Sequence, residues 1–150
     1  MRNRMIAITG LLTLLVLILA ACGGTNSSVP AAASTNQGLP NVSMNTAGYM
    51  DLSVEQLAQS MAGKNFTLVN VHVPNQGSLP NTDLSIPFDQ ITENLGKLPA
   101  KDAPIVLYCR SGSMSAQAAT VLVAAGYTNI YELDGGFNAW QAAGHDLLNK

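Results

Sequence analysis

The residues best suited to chemistry are gathered in the stretch 105–115, IVLYCRSGSMS, where Cys109 ends an apolar run and Arg110, Ser111, Gly112, Ser113, Met114 and Ser115 come directly after it. A thiol attacks as the thiolate, so its surroundings must favour the anion. The short loop after Cys109 can turn successive backbone N–H groups inward, and a helix beginning behind it adds the positive end of its dipole. Together they make an anion cradle in which a sulfur nucleophile could work. Arg110 is the only arginine after Arg4, and its place beside the nucleophile suits it to hold an anionic substrate or to brace the loop.

The elements that must position these residues can be read from the flanking pattern. Ile105, Val106, Leu107 and Tyr108 form an unbroken apolar run, as a central parallel strand covered on both faces requires. Ser113 is placed to cap a helix that starts near Met114 and carries Ala116, Ala119, Val121, Leu122 and Ala125 to a stop at Gly126. Ligands of open α/β sheets bind at such strand-to-helix junctions. Upstream, 49–52 reads as an edge strand, and Ser53 with Gln56 forms a capping box for a helix that presents Leu57 and Met61. The segment 66–73 is a strand and 74–83 a loop. A short strand at 84–86 stops at Pro87, and 88–95 is predicted as a helix with Ile91 and Leu95 inward, closed by Gly96. Strands alternating with helices in this way predict an α/β fold with a parallel sheet and right-handed crossovers.

The stretch around Cys109 resembles the active-site loop of the rhodanese-like sulfurtransferases, a strand followed by Cys-Arg-x-Gly-x-Arg-Ser and a helix. Downstream, Gly126, Tyr127 and 129–133 are similar to that family's next turn and strand, and Gly135, Gly136 and Trp140 to its Gly-Gly…Trp segment. Upstream, LVNVHVP (68–74) stands where the family carries Asp-Val-Arg, and SLPNTDLSIPFDQI (78–91) resembles its Gly-His-Ile-Pro-Gly-Ala…Ile-Pro segment. The resemblance spans 48–150 and implies a three-layer α/β domain with a small central parallel sheet flanked by helices. It also implies that Cys109 carries a persulfide, that 110–115 bind the substrate, and that sulfane sulfur passes from thiosulfate or a persulfide to a thiol or cyanide. Three positions depart from the pattern. Met114 stands in place of the second arginine and removes a donor to a sulfonate-like anion, while Asn70 and His72 replace Asp and Arg and remove the usual ionic bracing. Persulfide donors tolerate these changes better than thiosulfate does. Asn70, His72 and Asp134 are candidates to support the site from behind, although the expected place for Asp134 is as cap of the last helix; Trp140 belongs to the core.

Two other readings of the same residues stand beside this one. Phosphatases and arsenate reductases share the architecture, but their loop is one residue longer and closes on an arginine, whereas the spacing from Cys109 to Met114 fits a sulfur atom. A non-catalytic binding or redox-sensing module at the membrane is the other reading, and the residues at Asn70, His72 and Met114 suit it. Uptake of sulfur on Cys109 separates transferase from module.

The rest of the chain says where such a domain would work. Residues 1–21 show Arg2 and Arg4, an apolar run from Met5, and Leu19, Ala20 and Ala21 before Cys22. This resembles a bacterial lipoprotein signal peptide cut before a cysteine that then takes lipid. The apolar run falls short of the roughly 20 residues that span a bilayer. Residues 22–47 are uncharged and rich in Gly, Ser, Thr, Asn, Ala and Pro, and are expected to be a flexible tether reaching about 25–30 Å. The domain, 48–150, draws on a chain of 150 residues that is 47% hydrophobic and 11% charged, enough for a sizeable core. The two cysteines of the chain are Cys22 and Cys109. With Cys22 lipidated, Cys109 has no resolving partner, and sulfur loaded on it must leave to another molecule. Seven basic residues stand against nine acidic ones, a balance that loss of Arg2 and Arg4 makes more acidic, so nucleic acid is not an expected partner. The sequence has no Cys/His cluster at metal-ligand spacing and no nucleotide motif, so neither metal nor cofactor is expected. The expectation is therefore a monomer, lipid-anchored to the cell membrane on its extracytoplasmic side, that meets a small-molecule or protein sulfur donor and a thiol acceptor.

Overall fold

Ile105–Tyr108 (β4) is buried along its whole length, and the sheet is built outward from it. On one side lies Thr67–Asn70 (β2) and then Leu84–Ser85 (β3); on the other lies Ile130–Leu133 (β5) and then Met50–Leu52 (β1), giving the order β1-β5-β4-β2-β3 with every pair parallel. The structure is a computed structural model and describes residues 38–149. The expected signal peptide, Cys22 and the tether up to residue 37 lie outside the described residues.

Strand alternation sorts the apolar side chains onto two faces. On one, Val69, Ile105, Leu107 and Ile130 pack against Ala118, Ala119 and Leu122 of the helix Ser113–Ala124 (α2). On the other, Leu68, Val106, Tyr108 and Leu133 meet Leu57 of Val54–Ser60 (α1) and Phe137 and Trp140 of Gly136–Ala142 (α3). The result is three layers, α/β, as expected. Residues 38–47, expected to be the end of the tether, lie against this second face through Leu39 and Val42, and Met44 forms an antiparallel bridge to Met50. Among the described residues no helix is long and apolar enough to cross a membrane.

One local expectation was met in full. Ser53 and Gln56 form the capping box of α1. Three differ. The strand expected at 66–73 closes at Asn70, whose side chain turns back to accept from the N–H of His72 at 3.0 Å. The helix expected at 88–95 is instead two 3-10 turns, Phe88–Gln90 and Thr92–Lys97, with Gly96 inside the second rather than beyond its end. The two tight turns are enough to bury Ile91, which is 1% exposed. Finally, Ser113 is the first residue of α2 and not its cap; Gly112, at φ 96°, occupies the cap position with no side-chain bond.

Beyond α3 the chain turns back. His145 stacks on Trp140 with centroids 4.3 Å apart, the indole Nε1 donates to the Asp146 carbonyl at 3.1 Å, and Leu148 and Ser78 exchange backbone bonds of 2.7 and 2.8 Å. The terminal segment is thereby fastened to the loop after β2.

Candidate active site

Cys109 sits at the carboxyl end of β4, 1% exposed. The loop behind it fixes its surroundings. The left-handed Gly112 turns that loop so that its N–H donates to Cys109 Sγ at 3.2 Å, and one helical turn on, Ser115 brings its Oγ to 3.3 Å from the same sulfur. From the other side, α3 docks its first residues on the backbone of the loop: Phe137 N–H donates to the Cys109 carbonyl at 2.9 Å and Asn138 N–H to that of Arg110 at 3.0 Å. Only glycine allows this approach, because a Cβ at Gly136 would stand 2.2 Å from the Cys109 oxygen.

The electrostatics favour the anion. Burial alone would raise the thiol, but the Ser115 hydroxyl and the backbone N–H groups of Ser115, Ser111 and Met114 outweigh it and hold Cys109 below the ordinary thiol value. Such a thiolate can displace a leaving group at a soft, electrophilic sulfur.

The other expected site residues fall into groups. Arg110 is exposed, and its Nη1 is 3.5 Å from Gln76 Oε1. Gln76 Oε1 is also 3.1 Å from His72 Nε2, so Gln76 joins the arginine to the loop after β2. His72 is buried with its Nδ1 unpartnered, its ring edge-on to Phe137 at 5.4 Å. Asn70 is one step further back, donating to the Gly77 carbonyl at 3.0 Å and holding that loop rather than the sulfur. Ser111 and Ser113 are both exposed, and Ser111 reaches the sulfur through its backbone N–H, while the Met114 side chain packs partly buried against the α2 side of the core. Asp134 does not cap α3, whose cap is Gly135. Its carboxylate instead gathers with those of Asp51 and Glu132, with an oxygen of each within 4.8 Å of the others, because β1 and β5 run in register there.

Sequence reasoning missed Glu132 and Gln76. Glu132 is 3% exposed on the α2 side of β5, and its Oε1 lies 2.5 Å from Ser115 Oγ. Its signal was present: it is the one charged residue inside the otherwise apolar run IYEL. Gln76, in a polar loop, carried none.

The family model described as "Rhodanese-like domain" matches residues 53–143. A sulfurtransferase of Allochromatium vinosum is 35% identical over 102 residues, which cover 65% of this chain and 94% of that protein. The thiosulfate sulfurtransferase GlpE of Shewanella oneidensis is 34% identical over 100 residues, covering 65% and 97%. Among solved structures, a rhodanese-like domain protein from Staphylococcus aureus superposes with a TM-score of 0.58 at 27% identity, over 67% of this chain and 98% of that one.

Proposed function

The chain belongs to the rhodanese-like domain family, and from that premise we propose that it is a sulfurtransferase working through a persulfide on Cys109. The observation that carries this reading is the buried sulfur that accepts from Gly112 N–H and Ser115 Oγ and is held below the ordinary thiol value. In the first half-reaction the thiolate attacks the outer sulfur of a donor. An S–S bond forms to Cys109, the donor's own bond to that sulfur breaks, and the leaving group departs with the electron pair, as sulfite from thiosulfate or as a thiolate from a persulfide. In the second, an acceptor thiolate or cyanide attacks the outer sulfur and Cys109 leaves as thiolate. The loop donors match the charge on the sulfurs at each stage.

Persulfides fit as donors better than thiosulfate. Arg110 is the basic side chain of the loop, it is exposed, and position 114 offers a thioether turned to the core. A lipid on Cys22 would place the domain at the outer side of the cell membrane, within reach of extracytoplasmic thiols. Processing tests that part: Cys22→Ala should leave an uncut precursor, and unchanged processing rejects it. For the transfer itself, the full-length protein is incubated with thiosulfate or a small-molecule persulfide and the Cys109 peptide is weighed. Gain of one sulfur atom, absent in Cys109→Ser, is expected; no gain from either donor rejects the reading.

A further inference from the structure

Sulfur transfer through Cys109 leaves Glu132 without a task, although it is a buried carboxylate close behind the nucleophile. Among the described residues no basic side chain lies within ion-pair distance of it. Its one polar partner there is Ser115 Oγ, at 2.5 Å, and that same oxygen is 3.3 Å from Cys109 Sγ and 3.0 Å from the Gly112 carbonyl. A serine hydroxyl has one proton to give, so it cannot donate to the sulfur and to the carboxylate at once.

Two arrangements satisfy all three groups. In one, the Cys109 thiol donates to Ser115 Oγ, and Ser115 donates to ionised Glu132. In the other, protonated Glu132 donates to Ser115 Oγ, and Ser115 donates to the Cys109 thiolate. They interconvert when one proton moves from sulfur to Oγ and another from Oγ to Oε1. No bond between heavy atoms changes, the net charge is constant, and no further reactant is needed. We propose that Cys109, Ser115 and Glu132 form a proton relay in which Glu132 holds the proton that Cys109 gives up.

The surroundings of Glu132 suit this role. Burial first, and then the carboxylates of Asp134 and Asp51, push it up to about 7 against the opposing Ser115 hydrogen bond. The groups that face it are Asp51 from β1, Asp134 just after β5, Ser115 from α2 and Cys109 from the end of β4, with Tyr49 ahead of β1 feeling its charge. Each is acidic or neutral. Only the Ser115 hydroxyl supports the ionised form, so a proton from Cys109 has a receptive place near neutral pH. Glu132 acts through Ser115 and is a positioning residue. The relay rests on Cys109 being the sulfur-carrying nucleophile and deepens that reading: the thiolate forms without an external base, and when the acceptor takes the outer sulfur, Ser115 can donate to the departing Cys109.

The test tracks iodoacetamide alkylation of Cys109 against pH in the full-length chain, scored on the Cys109 peptide by mass. Coupled groups titrate in two steps when they interact by more than about one pH unit, and the wild-type rate is expected to rise in two such steps. Glu132→Gln, which cannot take the proton, should give a single step about one unit below the upper wild-type step; Ser115→Ala, which cuts the chain, should move the midpoint upward. A single wild-type step that neither variant moves overturns the relay. Infrared difference spectra of the wild type serve if Glu132→Gln does not fold. A protonated-carboxyl band should fade as pH rises through neutrality and should fade at lower pH once Cys109 is alkylated; no band, or one that alkylation leaves in place, also overturns the relay. Sulfur loading is scored alongside. Coupled titration without sulfur uptake keeps the relay and rejects the transfer, whereas uptake with an uncoupled titration does the reverse.

Discussion

At Arg110 the guanidinium faces solvent and meets the protein through a 3.5 Å contact with Gln76. An exposed guanidinium paired with an anion contributes about 1 kcal/mol, so Arg110→Ala should lower kcat/KM for dianionic thiosulfate roughly fivefold and that for a persulfide less. Equal losses with both donors would assign the side chain to loop structure. Met114 is a different matter, because its side chain is already engaged with the core beside α2. Met114→Arg must give up that packing, at about 1 kcal/mol, before a guanidinium can reach a donor. The thiosulfate-to-persulfide ratio of efficiencies should therefore rise by no more than about tenfold, with a lower denaturation midpoint. An unmoved ratio in a folded variant would place donor preference in the loop's backbone.

Two glycines at element ends make a matched pair. At Gly112 an added Cβ meets nothing nearer than 3.5 Å, so alanine there meets only the strain of φ 96°, about 1–2 kcal/mol. At Gly136 the Cβ would collide with the Cys109 and Arg110 backbone, and α3 would have to lift from the site, at about 3 kcal/mol or more. Urea denaturation of Gly112→Ala and Gly136→Ala should show that order; the reverse order would mean that α3 does not brace the Cys109 backbone. The Gly-Gly pair was legible in the sequence as a motif, yet the reason for it appears only when α3 is seen against β4. Much else was legible for simple reasons. The run IVLY has no polar residue to face water, so β4 had to be central, and Ser53 with Gln56 can satisfy the first N–H groups of a helix whatever lies around them. The segment 88–97 was not, since Ile91 and Leu95 carry the i, i+4 spacing of an α-helix while the chain folds there into two 3-10 turns. Glu132 escaped because a carboxylate in a short strand ordinarily faces solvent; its burial comes from α2 closing over the same face as Ile130.

For the molecule as a whole, the buried carboxylate sets a pH dependence of stability. Glu132 is raised from 4.5 to about 7, so between those values the folded chain binds more protons than the unfolded one. Stability should therefore be fullest below about pH 4.5 as far as this group is concerned and fall as pH rises toward 7, by on the order of 3 kcal/mol. Comparing urea midpoints of wild type and Glu132→Gln across that window checks it: the difference between them should change with pH in the window and level off above it, and a constant difference would mean that Glu132 is ionised throughout. The terminal segment has a consequence of its own. From Cys109 the contacts run through Phe137 and Trp140 of α3 to Asp146, from Leu148 across to Ser78, and back by way of Gln76 to Arg110, so they close a ring about the sulfur. The loosest contact of the ring is the exposed 3.5 Å one between Gln76 and Arg110, so what holds the loop to the terminal segment is the pair of backbone bonds between Ser78 and Leu148. Their two amides should exchange hydrogen with deuterium at one common rate, which would be the rate at which the loop beside Cys109 breathes and admits a bulky partner.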